Sequence, residues 1–192
     1  MTARTIAVSD LRSADILVTT GRAFVSGVIR QGTGTDFSHT VLYAGEGNVI
    51  EAIDQGVVER ALEQALNEAT LVIALRRRDM SDARRRLVID HARSFVGRPY
   101  DYTGAAGAGL SHRRGLLACS MSPGPCVALY VAAKRNASDA HKDTRFFCSE
   151  LAARAFQLAG MPIADADPSF MTPRAIRVAA SLLYVGHLVG GP

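Results

Sequence analysis

Three strand-like segments closed by glycine turns, within residues 38–59, do most to constrain what this chain can fold into. They occupy residues 38–43, 48–52 and 56–59. Gly45-Glu46-Gly47 supplies a tight reversal between the first two, because glycine adopts positive φ without steric cost. Connections this short join only antiparallel neighbours, so the segments form a meander. Asp15-Ile16-Leu17-Val18 adds a short apolar run before it, and Leu71-Val72-Ile73-Ala74-Leu75 a continuous apolar run after it. A run that is apolar at every position fits a strand covered on both faces, inside a sheet. Residues 182–189 read as a closing strand, and residues 22–30 as a short helix.

Helical spacing begins at Ser81. Leu87, Ala92, Phe95 and Val96 are expected on its apolar face, and Gly97 with Pro99 ends it. A second helix opens at Cys148, with Leu151, Ala155, Phe156 and Leu158 facing inward and Gly160 past its end. An antiparallel sheet with packed helices is an α+β architecture. The stretch 103–145 differs, with Gly104, Gly107, Gly109, Gly115, Pro123, Gly124 and Pro125. About forty residues is too few for an independent core, so it is expected to be an insertion over the site within one domain spanning 1–192. A short helix is expected at 127–134. The triplets Arg76-Arg77-Arg78 and Arg84-Arg85-Arg86 are expected to be solvated.

Composition narrows the functional classes. An apolar fraction of 48% is too high for a disordered chain. A net charge of +4, no Trp and 6% aromatic residues fall short of a nucleic-acid-binding surface. No run of about 18 apolar residues is present to span a membrane, although peripheral contact stays open. The start lacks a secretory pattern, so a cytoplasmic location is expected, with signal-independent export left open. The cysteines are Cys119, Cys126 and Cys148, and an odd number favours free thiols over a disulfide framework. With no C-x-x-C and no paired-histidine spacing, neither a metal nor another cofactor is expected.

Cys148 is the cysteine placed for chemistry. A thiol attacks carbonyls as the thiolate, and a helix amino terminus favours that form. Ser149 and Glu150 suit a first turn. Beside Phe146 and Phe147, however, the same residue also reads as a small buried apolar side chain. Cys119 and Cys126 open no helix and read as structural. Of the five histidines, His91, His112, His141 and His187 read as surface or core residues. His39 opens a strand whose hairpin partner carries Glu51. Counting outward from Glu46 sets His39 opposite Ile53 and Thr40 opposite Ala52. His39 and Glu51 are then diagonal neighbours, roughly 7–8 Å apart along the backbone. Taken alone, Glu51 reads equally well as a solvent-facing strand carboxylate.

Three segments together resemble a known superfamily. Phe37-Ser38-His39-Thr40-Val41-Leu42-Tyr43 through Glu51-Ala52 resembles the histidine hairpin of the NlpC/P60 cysteine peptidases. Ala92 through Gly97-Arg98-Pro99-Tyr100 resembles the helix and turn before their nucleophile. Phe147-Cys148-Ser149-Glu150-Leu151 through Gly160 resembles the nucleophile helix. Here the hairpin comes first, which matches the circularly permuted branch, the papain-like amidases of the YaeF/YiiX type. Tyr100-Asp101-Tyr102 and Met171-Thr172-Pro173 add to that match, which covers roughly residues 14–102 and 146–178. The resemblance implies a permuted papain-like fold and a triad of Cys148, His39 and Glu51. It also implies a thioester acyl-enzyme formed on a peptide or peptidoglycan fragment. Tyr100, Ser38 and Ser149 are the candidates for substrate contact. A lipid-directed acyltransferase or phospholipase with the same triad is the alternative, and a catalytically silent binding module is another.

Overall fold

The computed structural model describes residues 4–21, 39–110 and 143–188. The strands are β1 (Thr5–Ile6), β2 (Ile16–Gly21), β3 (His39–Gly45), β4 (Asn48–Ile53), β5 (Gly56–Ala61), β6 (Ala69–Arg77) and β7 (Leu182–Leu188). They form one mixed sheet in the order β1-β7-β6-β2-β3-β4-β5. The expected antiparallel sheet is thus corrected at one edge, where, among the described strands, β1 pairs in parallel with β7. Helices α1 (Leu62–Asn67), α2 (Asp82–Ser94), α3 (Tyr102–Leu110), α4 (Cys148–Leu158) and α5 (Pro173–Arg177), with short 3-10 turns at Val8–Asp10 and Pro168–Phe170, complete the described elements. The architecture is α+β.

Both faces of the sheet are covered, which explains its continuous apolar runs. Side chains alternate along a strand. Ile16, Val18, Leu42, Ile50, Ala52, Ile73 and Leu75 therefore meet Val88, Ile89 and Ala92 of α2 and Leu151, Ala155 and Phe156 of α4. Leu17, Val41, Tyr43, Val49, Val72 and Ala74 form the opposite core with Leu62 and Ala65 of α1. The reversal between β3 and β4 falls at Gly45, Glu46 and Gly47, all at positive φ.

Helix α2 starts where the sequence marks it, with the Ser81 hydroxyl accepting from the Arg84 amide. Its buried face differs from the expected one. Arg85, Val88, Ile89 and Ala92 are inside, while Leu87 and Val96 are 43% and 45% exposed. The spacing 85, 88, 89, 92 is a helical stripe, and its first member is hidden from a hydropathy reading because it is an arginine. Leu158 of α4 is likewise exposed.

The arginine triplets are not simply solvated. Asp15 is fully buried and accepts from Arg76 Nε at 2.8 Å and Nη2 at 2.6 Å. Arg85 Nη1 lies 3.9 Å from the same carboxylate and donates to the Ser13 carbonyl. Arg84 donates to the Ala159 carbonyl at the end of α4, and Arg78 to the Ala180 carbonyl. Arginine side chains thus tie α2 to the end of α4 and to the segment that leads into β2.

The described part of the expected insertion is α3, which begins at Tyr102, and the residues from 143 onward. The helices expected at 22–30 and 127–134 lie outside the described residues, as do Cys119, Cys126, His112 and His141. A short parallel bridge pairs Tyr100 with Phe146. Phe146 N–H donates to the Pro99 carbonyl at 3.1 Å, and Asp101 N–H to the Phe146 carbonyl at 3.0 Å. That bridge delivers the chain to Cys148.

Candidate active site

Cys148 is the first residue of α4. Phe147 precedes it in an extended conformation and offers no side-chain oxygen to the first-turn amides, while Glu150 accepts from the Phe147 amide. The dipole end and first-turn amides of α4 therefore lie at the sulfur. Cys148 is 2% exposed, and it is the free cysteine among the described residues. Burial pushes its thiol up. The charge and hydrogen bond of His39, with the backbone amides of Thr40 and Ser149, outweigh burial and hold the thiol below its ordinary value.

His39 opens β3, and its side chain is 25% exposed. Its Nε2 lies 2.5 Å from Glu51 Oε2. The other ring nitrogen, Nδ1, is thereby left to face Cys148. Burial disfavours the imidazolium, but the Cys148 thiolate, and then Glu51, outweigh it and raise His39 to about 10. Each partner favours the charged form of the other, so the thiol is lowered while the imidazole is raised.

Glu51 is 1% exposed. The register Leu42↔Ile50 and Tyr43↔Val49, carried outward, sets His39 opposite Ile53. Glu51 is therefore the diagonal neighbour of His39 on the same sheet face. It alternates with Ile50 and Ala52, which point toward α2 and α4, so its carboxylate lies on the opposite face, the one α1 covers. Burial would raise its pKa, yet His39 and Arg60 more than offset this and keep it low. A carboxylate in this position is ionised and accepts from the Nε2–H of the His39 imidazolium.

Arg60, on β5, is the site residue the sequence reading missed. Its Nε donates to Glu51 Oε1 at 2.5 Å, and its Nη1 and Nη2 reach Glu68 at 3.0 and 2.8 Å. The signal was available in the meander. Arg60 pairs with Val49 and Glu51 with Val58, so Arg60 and Glu51 share a face.

Among the expected contact residues, Tyr100 is buried beside Cys148. Burial, then the Cys148 charge, hold its hydroxyl protonated. Its ring centroid lies 4.7 Å from that of Tyr102, which is 59% exposed. Ser149 departs from expectation. Its hydroxyl is fully buried and donates to the Met171 carbonyl at 2.7 Å, so its side chain serves the fold and only its amide serves the site. Ser38 lies outside the described residues. His91 sits within α2, and His187 Nδ1 meets the Tyr184 hydroxyl at 3.0 Å, so neither joins the site. Among the described residues, no group of three His, Cys, Asp or Glu side chains is placed to hold a metal ion. No described helix is long and apolar enough to cross a membrane.

No protein-family model matches the chain. It is 25% identical over 203 residues to the probable lipoprotein peptidase YaeF of Escherichia coli strain K12, covering 97% of this chain and 74% of that protein. Its fold is similar to the crystal structure of the metalloprotein YiiX from Escherichia coli O157:H7. That likeness has a TM-score of 0.65 at 19% identity and covers 92% of this chain and 97% of that one.

Proposed function

Taking the chain as a YaeF/YiiX-type protein in sequence and fold, we propose that it is a cysteine hydrolase of peptide amides with a permuted papain-like arrangement. In this reading Cys148 is the nucleophile, His39 the acid–base and Glu51 the group that orients it. One observation carries the proposal. A buried thiol at a helix amino terminus, its pKa lowered by the neighbouring imidazole, meets a histidine whose Nε2 is bonded to a buried carboxylate. A merely structural cysteine has no need of such partners.

Turnover then runs as follows. The Cys148 thiolate attacks the amide carbonyl, and first-turn amides of α4 stabilise the oxyanion. Collapse of the tetrahedral species breaks the C–N bond while His39 Nδ1 gives its proton to the leaving amine. The thioester remains on Cys148. Water loses a proton to His39 and attacks the thioester, which frees the carboxylic acid and restores the thiolate–imidazolium pair. Glu51 stays ionised throughout and steadies the imidazole between the two steps. Tyr100, neutral beside the sulfur, lines the acyl side. The name YaeF carries includes peptidase, which supports amide bonds as the target. YiiX is described as a metalloprotein. The donor groups described here do not fit a metal, because His39 is committed to Glu51 and Cys148, and no step is routed through one.

The test exposes the protein to cell-wall peptides and, in parallel, to phospholipids, and weighs the peptide containing Cys148 by mass spectrometry. An acyl adduct from the peptides, absent in Cys148→Ala, is expected. Peptide hydrolysis undiminished in Cys148→Ala overturns the assignment. An adduct from phospholipid alone replaces the substrate class.

A further inference from the structure

We propose that Arg60 is the positioning residue of this site: it holds one oxygen of Glu51 so that the other stays fixed on His39, and Glu68 locks Arg60 in place. The inference rests on the cysteine-hydrolase reading above.

The geometry is a chain of four links running away from the sulfur. Glu51 divides its two oxygens, Oε2 toward His39 and Oε1 toward Arg60. An isolated carboxylate this deeply buried would shed its charge by taking a proton. A protonated Glu51 would no longer stabilise the imidazolium, and His39 would then lose hold on the thiolate. Arg60 prevents this by bringing a permanent charge and an Nε–H aligned on the carboxylate. Arginine has many rotamers, and Glu68 removes that freedom by binding both terminal nitrogens at 3.0 and 2.8 Å. Glu68 is itself 58% exposed, so its role needs no buried charge of its own. The neighbouring Glu59 points to the other side of β5 and pairs with Arg93 of α2. Strand alternation thus gives β5 one arginine for the site and one glutamate for the helix layer. The ionisable groups around Glu51 are His39 from β3, Arg60 from β5 and Glu68 after α1. Cys148 of α4 faces His39.

The sign of the effect follows. Without Arg60, Glu51 is protonated at a higher pH. Below that pH His39 loses its anionic partner, and the thiolate loses its own support in turn. The acid limb of thiolate reactivity therefore moves upward.

The experiment needs no substrate. Iodoacetamide alkylates the thiolate, and the rate at Cys148 is followed by peptide mass spectrometry from pH 4 to 9. In Arg60→Met the acid limb is expected to rise by about one pH unit, slowing alkylation about tenfold on that limb. Glu68→Ala, which leaves no buried charge unpaired, should move it in the same direction by less, about threefold. Arg60→Lys should restore part of the shift, since it keeps the charge but loses the fork. Glu59→Gln should leave the profile unchanged. Superimposable profiles for folded Arg60→Met and wild type overturn the proposal. If Arg60→Met does not fold, a Glu68→Ala profile identical to wild type overturns it. His39→Ala separates the two readings. A limb that does not respond to His39→Ala removes the catalytic pair itself, whereas one that responds to His39 but not to Arg60 or Glu68 removes only this inference.

Discussion

Replacing Cys148 by alanine should change the titration of His39 by several pH units. The imidazole stands at about 10 because the thiolate and Glu51 together overcome burial. A unit charge at about 4 Å, in an effective dielectric of about 20, contributes about 4 kcal/mol. That is about 3 pK units. Cys148→Ala removes this contribution and leaves burial opposing Glu51, so the midpoint should fall from about 10 to near 7. The ring-proton shifts of His39, followed by NMR against pH, measure it. Unfolding experiments carry a linked signature. His39 is raised from 6.5, so alone it stabilises the fold below 6.5 and loses that effect as pH climbs toward about 10. Cys148 is lowered from 9.0, so alone it stabilises above 9.0 and loses that effect as pH falls. Between 6.5 and 9.0 the two oppose one another, His39 losing its contribution and Cys148 gaining its own as pH rises. Stability from the pair should fall on the alkaline side between 9.0 and about 10, and this decline should vanish in Cys148→Ala. An imidazole that titrates near 6.5 in the wild type, or at the same pH in both proteins, refutes the ion-pair reasoning.

Three further substitutions test the surroundings. Asp15→Asn removes the buried anion facing Arg76 and Arg85, and urea unfolding should show a loss of about 3–5 kcal/mol. Ser149→Ala leaves the Met171 carbonyl without its buried donor and should cost about 1–3 kcal/mol in the same assay, with Cys148 alkylation by iodoacetamide kept within about twofold. A methyl group at Gly56 would lie 2.4 Å from the Arg98 carbonyl at a φ of +101°, so Gly56→Ala should lower stability by about 1–3 kcal/mol in thermal melts.

The hairpin was legible because turn chemistry and alternation act locally. Counting outward from Glu46 placed His39 opposite Ile53, and the observed register does the same. The start of α4 at Cys148 was legible for a similar reason, since a polar first turn leads into an apolar stripe. The inner face of α2 was not. Its stripe runs through Arg85, whose stem packs inside while its guanidinium finds Ser13 and Asp15 seventy or more positions away. Hydropathy counts such a residue as outside, and Leu87 takes its place in the pattern. Arg60 escaped for a related reason. Its partner Glu51 reads as a surface carboxylate until both strands are seen to bury it, and a strand arginine becomes informative only once that burial is known.

The path between His39 and Cys148 is long in sequence, and the fold shortens it at one point. β3 and β4 set His39 and Glu51 by local pairing, but Cys148 arrives from a distant part of the chain. What fixes it is the Tyr100↔Phe146 bridge, with its two backbone hydrogen bonds from Phe146 to Pro99 and from Asp101 to Phe146. Position 100 is in turn held to the meander, because the Val57 amide donates to the Arg98 carbonyl and the Gly97 amide to the Val57 carbonyl. The chain therefore leaves toward residue 102 and returns at 146 from adjacent points, both anchored to β5. Loop-closure cost grows only slowly with length. The number of residues between those anchors can change without moving the sulfur relative to His39.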